Sequence, residues 1–521
     1  MHEPPSDDSS QEQPIKDSSI KESQLQTGQS IKGDVNQVQG LGSIIRSIVN
    51  LQVILVRELK STDTPKRQSP DISLKLPELE TDGETNNFKK HSFPRNNFKT
   101  VSIINLTVFG LIIALRWLGL FESFELKAFD TLMRQRYLVL KEQPDNRILI
   151  IQATEEDIQE QAQLPNRRAS LSEDTLNRLF EKLKQYEPQI IGLNIYRDFP
   201  VGSDSNYAHL KSALQQPNLF GVCKVRNGKS DPLGVAPPPE IPENRLGFTD
   251  AVVDEDGILR RHLLSRSKSE ALTDKCITTD NLSVLLALSY LDKVRPNFPI
   301  EVTPQGNVKI ENVVLPQMHP YTGGYQRVDA GGRQIMLNYR SLNSPLEVSH
   351  TVSISEVIND QIPPKRIDEL KGRIILIGIS GPRNTSSDYW LTPYSKGQPI
   401  DQEQISGVVV QAHMVSQILS AVLNNRPLIW SLSETVEFIW IGGWTLVGSI
   451  LACKVASFQS LTLSIRYSVI STGLAFLILY GSCYLLLTFQ GGWLPLFPAG
   501  VGLFFGYICR NLFHIQSPLK Y

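Results

Sequence analysis

The sequence is poor in cysteine, almost free of net charge and empty of catalytic signatures. Five cysteines in 521 residues exclude a disulfide-dense scaffold, and no CxxC pair or Cys/His ladder suggests structural zinc. Lys and Arg number 52 against 53 Asp and Glu, a formal charge of -1. That balance removes the electrostatic case for a nucleic-acid partner, which needs a basic surface to neutralise phosphates. GxSxG, HExxH, Walker A and kinase motifs are missing, and Gly323-Gly324 and Gly331-Gly332 read as turns rather than phosphate-cradling loops. No catalytic residue, cofactor or metal is expected, and the chain is read as a non-enzyme. Even so, 41% hydrophobic and 20% charged residues exclude a wholly disordered chain.

The apolar residues are concentrated in four runs. Val101 to Leu120 is about one bilayer thickness as a helix, with its one charge, Arg116, close enough to the end to snorkel. A long polar stretch precedes it, so it reads as a signal anchor and not a cleaved signal peptide. Ser433 to Cys453 has Trp430, Trp440 and Trp444 as interfacial aromatics. Tyr467 to Thr488 is uncharged, and Trp493 to Cys509 carries Pro495 and Pro498 in its first turns, where proline costs least. The expected transmembrane helices are 101–120, 433–453, 467–488 and 493–509. Lys89, Lys90, Arg95 and Lys99 precede the first run, and Glu122 and Glu125 follow it. Lys454 and Arg466 lie between the second and third, and Arg510, His514 and Lys520 follow the last. The positive-inside rule then puts both termini in the cytoplasm and 122–430 outside, in a multi-pass protein of the inner or plasma membrane.

Residues 1–98 have the composition of a mostly disordered cytoplasmic tail, interrupted by an apolar island at 40–59. The island is a docking segment for a protein or a membrane surface, and its periodicity does not separate helix from strand. In 122–430 strands alternate with helices. RILIIQA (147–153), QIIGLNIY (189–196), NLFGVCKV (218–225) and RIILIGI (373–379) read as buried strands. Helices are expected over 172–186, over 280–291 with Asp280 or Asn281 as N-cap, and over 406–423. This is an α/β domain with a mostly parallel sheet, whose ligands usually bind beyond the carboxyl ends of the strands.

Three polar clusters follow expected strands and form the candidate ligand-binding set: Tyr196, Arg197 and Asp198; Asn338, Tyr339 and Arg340; and Asp388. They converge either on an anion-binding pocket or on an Arg–Asp network that locks loops, and residue type does not separate the two. Asp254-Glu255-Asp256-Gly257 misses the calcium-loop spacing, so it reads as a hairpin turn. His413 reads as a packed helix residue. Cys223 and Cys276 share the outer segment, but sequence supplies no distance for a pairing.

Seven motifs in order resemble the CHASE type 2 domain, an extracytoplasmic sensory module. They are ELKAFDTLMRQR (125–136), IIGLNIYRDFP (190–200), LGFTDAVVDEDGILRRHLL (246–264), IMLNYR (335–340), LKGRIILIGIS (370–380), DYWLTPY (388–394) and GVVVQAHMVSQIL (407–419). The resemblance runs from about Leu118 to about Leu512 and includes one helix before the sensor and three after it. It implies a sensor architecture without naming a signal. Asn194 stands where the family commonly shows Asp, and Gln411-Ala412-His413 rearranges the usual His-Ala-Gln. Relatives usually continue into a kinase, cyclase or phosphatase domain, whereas this sequence stops at Tyr521. The expectation is a membrane-anchored, receptor-like protein that detects a small-molecule ligand or an envelope condition and signals through a separately encoded output protein. The alternatives are a structural or assembly protein and an extracytoplasmic enzyme. Its partners are the lipid bilayer, the ligand and the output protein, with homo-oligomer formation left open.

Overall fold

The computed structural model describes residues 95–515, apart from 162–170, 204–206, 227–232, 365–366, 369–370, 381–387, 396–403, 456–457 and 459. The tail up to residue 94, with its island at 40–59, lies outside the described residues.

Six strands form one sheet: β1 (Ile148–Ala153), β2 (Ile190–Asn194), β3 (Leu219–Cys223), β4 (Leu246–Phe248), and, after the separate strands β5 (Arg261–Ser265) and β6 (Arg333–Met336), β7 (His350–Ser353) and β8 (Ile374–Ile379). Their spatial order is β7-β1-β8-β2-β3-β4, and every neighbouring pair is parallel. The strands read as unbroken apolar runs because successive side chains enter different cores. Ile148, Ile150, Ile374 and Leu376 point to one face, and Leu149, Ile151, Ile375 and Ile377 to the other.

Helices α3 (Glu173–Leu183) and α4 (Ala208–Gln215) cover the second face. Helices α5 (Leu282–Val294) and α6 (Gly407–Asn424) cover the first. Ser172 caps α3 by accepting from the Thr175 N–H, and Asn281 caps α5 by accepting from the Ser283 N–H. The α/β class and all four expected strands are therefore present. Strands β5 (Arg261–Ser265) and β6 (Arg333–Met336) pair antiparallel in a separate ribbon that leads to Arg340.

Further helices lie before and after this domain in the sequence. α1 (Arg95–Trp117) bends by 86° into α2 (Glu122–Gln135), and α7 (Glu434–Val455), α8 (Leu461–Gln490) and α9 (Phe497–Ile515) close the chain. By length and composition α7 and α8 are able to cross a membrane, and α1 qualifies together with α2. The apolar part of α9, Phe497–Ile508, is shorter. α6 also passes the hydropathy test, but 89% of it is buried in the α/β domain, so it is a core helix.

Helices α7 and α9 meet through small residues. A Cβ on Gly448 would run into the Leu503 carbonyl, and one on Gly506 into the Thr445 carbonyl, so the two backbones approach as only glycine permits. The last apolar run starts its helix later than expected. Trp493 pairs as a short strand with Ser431, and its ring is buried against Phe129 and Tyr325 at centroid distances of 4.7 and 5.7 Å. Trp444, expected at an interface, is also buried.

Candidate functional site

The candidate residues divide between the two ends of the sheet. Tyr196, Arg197 and Asp198 leave the carboxyl end of β2. The Tyr196 hydroxyl lies 2.8 Å from Thr249 Oγ1, beyond the carboxyl end of β4. Arg197 is buried, donates to Glu173 Oε1 at 2.8 Å and stacks 4.7 Å from the Phe199 ring; Asp198 is exposed. Asp388 sits at the same end, where its carbonyl accepts the Gly407 N–H at the start of α6 (3.0 Å) and its Oδ1 accepts Trp390 Nε1 (2.9 Å). Burial pushes the Asp388 carboxyl up, the Trp390 hydrogen bond acting the other way.

Arg340 belongs to the opposite end. Its Nη2 donates to Asp145 Oδ2 at 2.9 Å, and Asp145 precedes the first residue of β1. Parallel strands of this length hold the two ends about 20 Å apart. Arg197 and Arg340 therefore sit at different ends of the sheet, because strand direction sends the Asn338–Arg340 segment to the amino end.

That end is a charged cleft of about 510 Å³ lined by Glu142, Asp145, Arg147, Arg340, Ser420 and Arg426, among others. Arg147 grips Asp145 with Nε (2.7 Å) and Nη2 (2.6 Å), and both Arg147 and Arg340 donate to Ser420 Oγ, at 2.7 and 2.8 Å. Arg426 grips Glu142 at 2.5 and 3.0 Å and donates to the carbonyls of Asn338 and Tyr339, each at 2.9 Å. Asn338 Oδ1 accepts from Arg136 at 2.7 Å, and its Nδ2 donates to the Pro427 carbonyl at 2.7 Å. Tyr339 is fully buried and donates to the Leu259 carbonyl at 3.0 Å. These bonds knit the approach to β1, the segment after β6 and the end of α6 into one lock. Glu142, Asp145, Arg147 and Arg426 were not singled out from sequence. Their only local signals are charges placed directly before a buried strand and beside Pro427.

The lock is charged at neutral pH. Burial alone would raise Glu142, but hydrogen bonding and charge from Arg426, with the Ser341 N–H, bring it down to about 2. Asp145 is likewise raised by burial and brought down to about 2 by Arg147, Arg340 and Ser416. Both folded values lie below those of the unfolded chain, so this stabilisation is complete above about pH 4.5 and is lost as pH falls toward 2. Two buried histidines act earlier. Burial holds His413, whose Nε2 donates to the Pro345 carbonyl at 2.8 Å, and His262 down to about 3. Each stays neutral in the fold but protonates in the unfolded chain below about pH 6.5. At pH 5 each is expected to cost about 2 kcal/mol. The histidine contribution to the melting temperature should therefore fall as pH drops below about 6.5, and comparing His413→Gln with wild type isolates it. His413→Gln should flatten that slope, and an unchanged slope in the variant would reject the assignment.

A second buried network joins the α/β domain to the apolar helices. Arg260, 0% exposed, forks onto Asp130 of α2 (2.8 and 2.7 Å), onto Asp256 (2.9 and 2.7 Å), and reaches Asp254 at 2.7 Å. Burial works against its charge, but the bonds to Asp130 and Asp256 dominate and raise its pKa. Asp254 also accepts from Arg261 (2.8 Å) and Tyr325 (2.7 Å). Asp254 to Gly257 form the expected turn, with the Gly257 N–H on the Asp254 carbonyl at 2.9 Å. Among the described residues no cluster of His, Cys, Asp and Glu is arranged to hold a metal ion. Next to Tyr325, the Gly323 carbonyl accepts from Arg116 (2.8 Å), which pairs with Glu437 of α7. Glu125 accepts from the Leu496 and Phe497 N–H groups at 3.0 and 2.7 Å, which ties α2 to the start of α9.

No curated protein and no solved structure matches the chain. A family model, the CHASE2 domain, matches residues 107–450 and so takes in the whole parallel sheet, both charged networks, α6 and most of α7. The match ends short of the Leu512 expected from the motifs. With about two thirds of its length covered by that model, the chain belongs to the CHASE2 domain family, a family of sensory extracellular domains.

Proposed function

We propose that this protein is a multi-pass membrane sensor in which α1, α7, α8 and α9 span the bilayer and residues 122–430 face outward. The domain detects a small ligand or an envelope condition, and a separately encoded partner reads the state of the helices. The observation that carries this reading is α6. It is a rod about 27 Å long, buried along most of its length. It begins beside Asp388 at the carboxyl ends of the strands, where ligands of such sheets bind. It ends in the Arg340–Arg426 lock, and the chain runs from there through the short strand at Trp430–Ser431 into α7. A ligand that binds two arrangements of the carboxyl end unequally would bias α6, and α6 would carry that bias to α7. The disulfide between Cys223 and Cys276 supports an outward position, because such bonds persist in oxidising compartments.

Placement is tested by labelling intact cells with an impermeant thiol reagent. Gln305→Cys, on an exposed loop, should label and Ser19→Cys should not. Labelling at position 19 from outside would overturn the topology. Ligand detection is tested by thermal-shift screening of the full chain in detergent, where a bound compound raises the melting temperature by mass action. A broad screen of metabolites and ions that moves nothing would count against ligand sensing.

A further inference from the structure

We propose that the arginine cleft at the amino end of the sheet binds the phosphate of an anionic phospholipid headgroup from the outer leaflet beside it. This rests on the membrane reading above and adds a partner to it. At about 510 Å³ the cleft has the size of a small-molecule site. Its lining carries three arginines, Arg147, Arg340 and Arg426, against two carboxylates, Glu142 and Asp145, an excess of one positive charge. Arg136 is buried behind Glu142 at 4.0 Å and adds a second.

The guanidinium groups are not fully occupied. Each has five N–H donors. The Nη1 of Arg147 makes one bond, to Asn424 Oδ1 (2.9 Å), and the Nη1 of Arg340 makes one, to the Gln143 carbonyl (2.9 Å). Each therefore keeps one Nη1 hydrogen without an acceptor among the described residues. Both bonds lie in exposed surroundings, so these hydrogens are open to an incoming phosphate oxygen.

Position selects the lipid as the source of the phosphate. The wall of the cleft continues from α2, and Gln135 at its end accepts hydrogen bonds from Tyr480 and Tyr484 of α8. Directly after it come Leu138 at 74% and Val139 at 53% exposure, followed by Lys141 with its ammonium 5.9 Å from the Tyr137 ring. An exposed apolar pair between a tyrosine and a lysine is costly in water and favourable at a headgroup boundary. Three residues separate Leu138 from Glu142, so an acyl chain lying on Leu138 would bring its phosphate to the mouth of the cleft.

The test uses the full chain in nanodiscs of phosphatidylcholine, with and without phosphatidylglycerol, and native mass spectrometry to count retained lipid. Wild type should retain phosphatidylglycerol in preference to phosphatidylcholine. Asn146→Glu adds a negative charge at an exposed lining residue without removing a bond, and should weaken that retention about fivefold. Arg295→Gln, which opens a surface ion pair with Glu311, should leave it unchanged. A Leu138→Ser, Val139→Ser double variant should also lose retention. Equal retention by wild type and Asn146→Glu would overturn the proposal. So would a melting-temperature rise with inorganic phosphate in detergent that is not accompanied by phosphatidylglycerol enrichment, since the occupant would then be a free anion. Labelling at Gln305 reports placement separately, so outward labelling without retained lipid rejects the lipid site and leaves the sensor reading intact.

Discussion

Replacing Arg260 with Met is expected to cost about 3–5 kcal/mol, the usual consequence of removing one partner from a buried ion pair. The reason lies in what remains. Asp130, 4% exposed at the side chain, would lose the fork that neutralises it, and Asp254, also 4% exposed, would keep Arg261 as its one remaining ion-pair partner among the described residues. Methionine fills the volume but supplies no donor, so the loss is electrostatic rather than a cavity effect. Because Asp130 is on α2 and Asp254 on the turn after β4, the same substitution removes the charged tie between α2 and the domain. Chemical denaturation of the full chain measures the loss. Arg260→Lys should recover only part of it, since an ammonium cannot make two paired forks. Adding Asp130→Asn to Arg260→Met should restore some stability by removing a stranded charge. Wild-type stability in Arg260→Met would reject the network as a structural tie.

Replacing both Cys223 and Cys276 with Ser is expected to cost about 4 kcal/mol, from a closed loop set by the separation of 53 residues. Both cysteines are fully buried beside Phe248, at the end of β3 where the sheet turns toward β4. Alkylating whole cells before lysis, followed by non-reducing electrophoresis, detects whether the bond exists in the cell. Protection of both thiols is the expected result. Alkylation of both would remove the bond and the support that it lends to an outward domain.

Much of the architecture was legible because its signals are local. A strand covered on both faces reads as an unbroken apolar run, as RILIIQA and RIILIGI do, and β1 and β8 lie there in register, Ile148 opposite Ile374. Ser172 and Asn281 satisfy the first N–H groups of the helices that follow them, a short-range requirement that residue type alone reveals. The apolar helices and the seven family motifs are similarly matters of composition and order.

Partner choice was decided only by the tertiary structure. Arg340 and Asp145 are 195 residues apart in sequence, and Arg426 and Glu142 are 284 apart. No periodicity of 2 or 3.6 residues links groups at such separations. The sequence by itself placed Arg197 and Arg340 alike, each just after a strand. The strands differ in setting: β2 lies inside the parallel sheet, and β6 belongs to a separate antiparallel ribbon. Strand direction therefore sends Arg197 to the carboxyl end and Arg340 to the amino end, where Asp145, Ser416 and Ser420 take up its donors. Trp493 follows the same logic. Its sequence neighbours suit a membrane run, yet its ring fills the space beside Phe129 and Tyr325, because burying a large aromatic against the domain depends on which surfaces the fold brings together.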